Sequence, residues 1–252
     1  MAKNIKKRSA SHIYFGVNKL TGELKHISEV PSGQKCNCIC AACLQPFEAR
    51  KGTRRRHHFA HVSNYECMYA SEVAIYKAFA EALKQSGFLT LSPVMLRFPA
   101  WHDPELLQEA RRLKIDSVAF ECEPLSYPPL LRVTMQGTPL RILLDFDRYY
   151  DDDDRVELAE EAKAEDYSLL LISMPKIEQD TEFTPDRLQS ALQDNDRTEW
   201  VFSRLEEQWK QKYYAVAVSP PEHGTGNLCP ISFGKYKGKY SARWIVPIVI
   251  SM

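Results

Sequence analysis

Apolar and polar positions alternate or recur in ways that divide this chain into elements. From His12 to Val30 two strand-like runs, HIYFGV and ELKHISEV, flank Asn18-Lys19-Leu20-Thr21-Gly22, the pattern of a β-hairpin. Ala74, Ile75, Ala78, Phe79, Ala82 and Leu83 recur at helical spacing and predict an amphipathic helix over 71–85, capped by Ser71 and stopped by Gly87. Asp103-Pro104 ahead of ELLQEARRL predicts a short helix with proline in its first turn. Three strands are expected at 115–123, 130–136 and 140–147, the last two joined by Gly137-Thr138-Pro139. An acidic-started helix over 151–164 and a buried-type strand over 167–174, ended by Pro175, follow. Helix, three strands, helix, strand is the order of an α/β core with a mixed sheet. Residues 185–213 read as helical, anchored by Trp200 and Trp209. Residues 219–227 read as a linker, and 229–252 as a small β-rich tail carrying FGKYKGKYSARW.

Composition changes this picture in two ways. The 252 residues carry 33 Lys+Arg and 33 Asp+Glu, so average charge selects no partner. The charge is unevenly placed, however. Residues 1–66 hold 12 Lys/Arg against 4 Asp/Glu, a net of +8, whereas residues 145–166 hold 11 acidic residues against 3 basic ones, a net of −8. A cationic front half suits a nucleic-acid partner, and the acidic stretch is a cation site or a solvated helix start. No apolar run follows the basic residues 1–10 as a signal peptide requires, and none is long enough to span a bilayer. The chain has seven cysteines, an odd number, four of them within Cys36 to Cys43. That usage points to a reduced, metal-binding, cytoplasmic protein rather than a disulfide framework.

The densest chemistry lies in residues 35–67. Cys40-Ala41-Ala42-Cys43 offers two thiolates to one side of a tetrahedral zinc. His61 and Cys67, separated by five residues, are the favoured second pair; His58 with His61 is the rival. Cys36 and Cys38 are spare thiols or alternative ligands, and Phe59, between the histidines, is expected to anchor the core beneath the metal. Lys51, Arg54, Arg55 and Arg56 fill the intervening loop and are candidate phosphate contacts, with an ordinary solvated loop as the plain alternative. Phe47, Phe59, Tyr65 and Tyr69 are aromatic residues able to stack on bases, although packing explains each of them as well.

The hairpin, Cys40-x-x-Cys43, the basic loop with Gly52, His58-Phe59-Ala60-His61, Cys67 and Glu72 together resemble the competence protein CoiA-like family. In that family a zinc-finger-like segment precedes a PD-(D/E)xK, restriction-endonuclease-like nuclease domain, and the resemblance runs to about Met174. It implies a mixed sheet flanked by helices, preceded by a small zinc-bound β-rich module, with boundaries at 1–70, 71–175 and a C-terminal extension over 176–252. It also implies that Glu72, Asp145 and Asp147 hold catalytic Mg or Mn, with Lys77 beside them. Two positions depart from the family pattern: Arg132 stands where the strand aspartate is expected, and Asp147 where a lysine or glutamine is expected. Lys77, Arg132 and Arg148 are the cations available to replace it.

The acids also have a plainer reading. A carboxylate in the first turn of a helix, as at Glu72, is favoured by the helix dipole alone. Asp145 and Asp147 alternate along a strand and share a face; their mutual repulsion calls for a cation, unless both face water. Asp151 to Asp154 read as a solvated helix start. The expected protein therefore contains structural zinc and acts on DNA, in recombination, DNA uptake or defence against foreign DNA, with recombination or defence proteins as further partners and no membrane. It is either a metal-dependent nuclease or a DNA-binding scaffold that has lost the chemistry.

Overall fold

The computed structural model describes residues 12–63, 67–97, 103–123, 127–146, 150–175 and 182–218. Residues Met1–Glu207 form one compact unit and Gln208–Met252 a second. The expected linker and β-rich tail, together with Tyr65, Asp147 and Arg148, lie outside the described residues.

The amino-terminal part is a set of short, mutually tied strands. β1 (Phe15–Asn18) and β2 (Leu24–His26) form the expected hairpin, and Asn18 Oδ1 accepts the backbone N–H groups of Leu20 and Thr21 to close its turn. β3 (Cys38–Ile39) adds to the other side of β1. β4 (Phe47–Arg50) pairs with β5 (His58–His61), and Phe59 N donates to Ile13 O, tying this second hairpin to the first. Gly16 sits where these pieces meet: a Cβ there would come within 3.1 Å of Cys38 Cβ and 3.2 Å of the Phe47 ring.

α1 (Ala70–Ser86) is buried along most of its length, from Val73 and Tyr76 to Phe79 and Leu83. Gly87, at φ 64°, closes it in the left-handed conformation that glycine adopts without strain. The start differs from expectation: Tyr69 is the N-cap position and its side chain does not cap the helix, while Ser71 lies inside the first turn. Cys36, Phe47 and Phe59 belong to the same continuous core as α1.

After α1 comes an antiparallel ribbon. β6 (Phe88–Leu91) pairs with β9 (Arg111–Lys114), and β7 (Val94–Leu96) with β8 (Glu105–Gln108). The short helix expected after Pro104 is therefore two strands. Its apolar spacing fits a helix locally, but the edges of β6 and β7 need backbone partners, and tertiary pairing overrides the local preference.

The central sheet has five strands in the order β10–β11–β12–β13–β14. β10 (Ser117–Glu121), β11 (Leu130–Met135) and β12 (Thr138–Phe146) run antiparallel in succession. The β11–β12 turn is Gln136-Gly137, both at positive φ as a two-residue hairpin turn requires, so Thr138 and Pro139 already belong to β12. α2 (Asp152–Ala164) starts in a reciprocal capping box: Asp151 Oδ1 accepts Asp154 N at 2.9 Å, and Asp154 Oδ2 accepts Asp151 N at 3.1 Å. That bonding accounts for the acidic run as a helix start. β13 (Ser168–Met174) returns parallel to β12. α3 (Pro185–Ala191), β14 (Thr198–Phe202) and α4 (Arg204–Val218) replace the continuous helix expected over 185–213. Thr198 and Trp200 are both buried, a period of two, because β14 completes the open edge of β13; Trp200 Nε1 donates to Ser92 O.

β12 and β13 are covered on both faces. Ile142, Leu144, Phe146, Leu170 and Ile172 pack in the core that contains α1, while Leu143, Leu169 and Leu171 pack with Ala162 of α2. Two-sided burial explains the near-continuous apolar runs in these strands. No helix of the described residues is long and apolar enough to cross a membrane.

Tyr76 joins α1 to the sheet. Its hydroxyl accepts Leu144 N at 2.7 Å and donates toward Leu144 O at 3.3 Å. Continuing the β11–β12 register places Pro129 opposite Leu144, and proline has no N–H to give. The phenol thus stands in for a strand partner where β11 has ended. Tyr76→Phe is expected to leave that N–H unpaired in the core and to cost about 1–3 kcal/mol, read as a lower urea midpoint with an unchanged slope.

Candidate metal centre

The Cys40–Cys43 segment folds as a tight knuckle. Leu44 N donates to Cys40 O at 3.0 Å, Cys40 N to Gln45 O at 2.9 Å, and Ala42 N toward Cys40 Sγ at 3.4 Å. Leu44 takes φ 61° with its side chain exposed, a left-handed backbone the turn needs in order to bring the second cysteine round. Backbone amides aimed at sulfur are the usual second layer of a thiolate metal site, because they stabilise negative charge there.

His61 reaches the knuckle from β5. In this strand Phe59 and His61 are buried while His58 and Ala60 are less so, which is the period of two that turns His58 to the opposite face. Phe59, stacked on Phe47 at a centroid distance of 5.4 Å, lies under the centre as expected, and the His61 ring stands edge-on to Phe47 at 4.8 Å. His58 instead bonds Arg56 O through Nδ1 at 2.9 Å and packs against His12. Cys67, three residues ahead of α1, supplies the remaining sulfur.

The donor atoms of Cys40, Cys43, His61 and Cys67 all lie within 4.8 Å of one another, with Cys43 Sγ 3.2 Å from His61 Nε2. A tetrahedral zinc with bonds of about 2.3 Å to sulfur and about 2.0 Å to nitrogen needs donors roughly 3.5–3.8 Å apart, so the four can close on one ion with small movements. It is the only cluster of three or more such donors found among the described residues. Cys36 and Cys38 stand outside it: their thiols donate to Phe47 O and Cys36 O, and burial pushes Cys38 up to about 12.

The three cysteine donors also perturb one another's protonation. The Cys40 thiol donates to Cys67, which raises Cys40 and lowers Cys67. Burial raises Cys43 and lowers His61. His61 is therefore neutral at ordinary pH, ready to ligate, while protons compete for the Cys40 and Cys43 sulfurs.

The other expected site residues lie on α1, β11 and β12. Glu72 is buried in the first turn of α1, and its charge weakly opposes the lowering of Cys67 that the Cys40 bond produces. Asp145 is buried near the end of β12, where the pleat places it on the α2 side with Leu143, opposite the face that Leu144 and Phe146 present to α1. Lys77 lies over the Phe120 ring at 5.4 Å, and Arg132 is exposed and paired with Glu121 at 2.6 Å. In the basic loop, Lys51 Nζ donates to the backbone carbonyls of Ser28 and Val30, so it acts as a staple within the fold. Arg54, Arg55 and Arg56 are exposed. Spacing in the sequence carried no signal for the Lys51 staple, because its acceptors are backbone atoms more than twenty residues earlier.

Cys40→Ser and His61→Ala are each expected to lose bound zinc, measured as metal per chain, whereas His58→Ala keeps it. Zinc affinity should fall as pH is lowered below neutral, because protonation of the cysteine sulfurs displaces the metal. Equal zinc content in the His61→Ala and His58→Ala proteins would refute this ligand set. No family model, curated protein or solved structure matches the chain, so the likeness to the competence-protein family rests on the residues quoted for it.

Proposed function

We propose that this is a zinc-containing DNA-binding protein in which a nuclease-type α/β core serves as scaffold, acting in recombination, DNA uptake or foreign-DNA defence in the cytoplasm. The observation that carries the reading is the donor cluster at the base of the β4–β5 hairpin. It holds the hairpin stem through His61, and Lys51 pins the departing chain, so Arg54, Arg55 and Arg56 project from an anchored loop. Anchored, exposed cations neutralise phosphates at a smaller entropic cost than a free tail. Zinc held by Cys40, Cys43, His61 and Cys67 would be structural, since all four positions are filled by protein.

A second reading, metal-dependent phosphodiester cleavage, draws on the succession α1, β10–β12, α2, β13 and on the buried Glu72 and Asp145. Two features count against it: the alternation of β12 groups Asp145 with Leu143, which packs with α2, and Arg132 occupies the place where a third acid is needed. Magnesium requires several converging oxygen ligands.

One experiment separates the two readings. The purified protein is incubated with end-labelled single- and double-stranded DNA and Mg²⁺ or Mn²⁺, beside a Glu72→Ala/Asp145→Ala variant with its folding checked by circular dichroism. Salt-sensitive binding without cleavage is expected. Cleavage by the parent that the folded variant lacks would establish the nuclease, and absence of binding to either DNA would overturn the proposal.

A further inference from the structure

We infer that the phosphate-binding surface continues from the arginine loop onto the segment around α3, through Arg187 and Arg197; this rests on reading the protein as DNA-binding. Glu182 is the pivot. Its carboxylate lies 3.8 Å from Arg56 Nη1, and its backbone carbonyl accepts Arg187 Nη1 at 2.9 Å. A loop and a helix more than a hundred residues apart in sequence are thus joined through one residue. Beyond it opens a cavity of about 230 Å³, lined by Met174 and Pro175 at the end of β13 and by Glu182, Arg187, Asp194 and Arg197.

The charges along this path are unequal. Arg54, Arg55 and Arg187 are exposed and meet no carboxylate among the described residues. Arg56 and Glu182 are both 46% exposed at their 3.8 Å separation, which makes a weak, screened pair. Arg197 holds Asp194 through Nε at 2.8 Å and remains 43% exposed, so its other N–H groups are open to a second acceptor. Among the described residues, the printed ion pairs of these five guanidinium groups involve two carboxylates, Glu182 and Asp194. One backbone bond fixes Arg187 at one nitrogen and leaves the rest of its fork outward, the geometry in which arginine takes phosphate oxygens. Cations spread from the loop to the cavity suit repeated phosphates of one strand better than a single small anion. The cavity lies at the carboxyl end of β13 and beside the segment that leads into β14.

The test uses the full chain, zinc-loaded, with short fluorescein-labelled single- and double-stranded DNA in a salt series followed by anisotropy. Arg187→Gln is expected to weaken binding and to reduce the slope of log affinity against log salt by about 0.7–0.9, one phosphate contact. Arg187→Lys should restore the slope, and Lys163→Gln on α2 should leave it unchanged. Arg54→Gln/Arg55→Gln should lower the slope further when combined with Arg187→Gln. Melting temperatures report folding; if Arg187→Gln melts early, Arg197→Gln is read in its place. A wild-type slope in the arginine variants of the α3 segment, with binding lost only in the loop variant, overturns the extension and leaves the DNA-binding reading standing. Failure of the parent protein to bind either DNA overturns both.

Discussion

Cys67 is the donor that makes the Cys/His cluster matter to the whole unit. Cys40, Cys43 and His61 belong to the knuckle and the β4–β5 hairpin, whereas Cys67 stands three residues before α1. Closing four donors on one ion therefore fixes the first turn of a helix that is buried almost all round. Two turns along that helix, Tyr76 completes the hydrogen bonding of Leu144 in β12. The chain of constraint runs from sulfur to helix to sheet in fewer than ten residues of α1. Hydrophobic burial supplies most of the favourable energy of such a core, but it is non-directional. The two polar attachments, one at Cys67 and one at Tyr76, supply direction: they set where the helix begins and how deep it lies.

This arrangement explains how a set of very short strands can hold an orderly loop. β1 to β5 contain between two and four residues each, too few for a stable sheet in isolation. They share their apolar side chains with α1, and Gly16 lets the rings of Phe47 and Phe59 close against β1.

Much of this was legible in the sequence where a local rule and the tertiary demand agree. The β1–β2 hairpin, α1 with its Gly87 stop, the three strands of the central sheet, α2 and β13 follow from periodicity and turn residues. The four clustered donors are those that spacing favoured, and the pleat of β5 brings His61 rather than His58 to the cluster, something spacing alone leaves open. Misreadings fell where a neighbouring strand needed a partner. β8, β9 and β14 carry locally helical sequences, yet each pairs with an edge that would otherwise be bare. The Glu72–Asp145 constellation, which came from resemblance, meets the alternation of β12, which presents Asp145 away from α1. Arg187 and Arg197 gave no sequence signal, since only folding brings them beside the loop.

The staple made by Lys51 changes what kind of object the arginine loop is. With its entry held by two backbone carbonyls and its exit held by the hairpin ladder at His58, the intervening segment is a strap rather than a tail. A tail searches space and pays for each capture by losing freedom. A strap has already surrendered most of that freedom during folding, so it discriminates by shape: a strand whose backbone cannot follow its curve gains little from its charge.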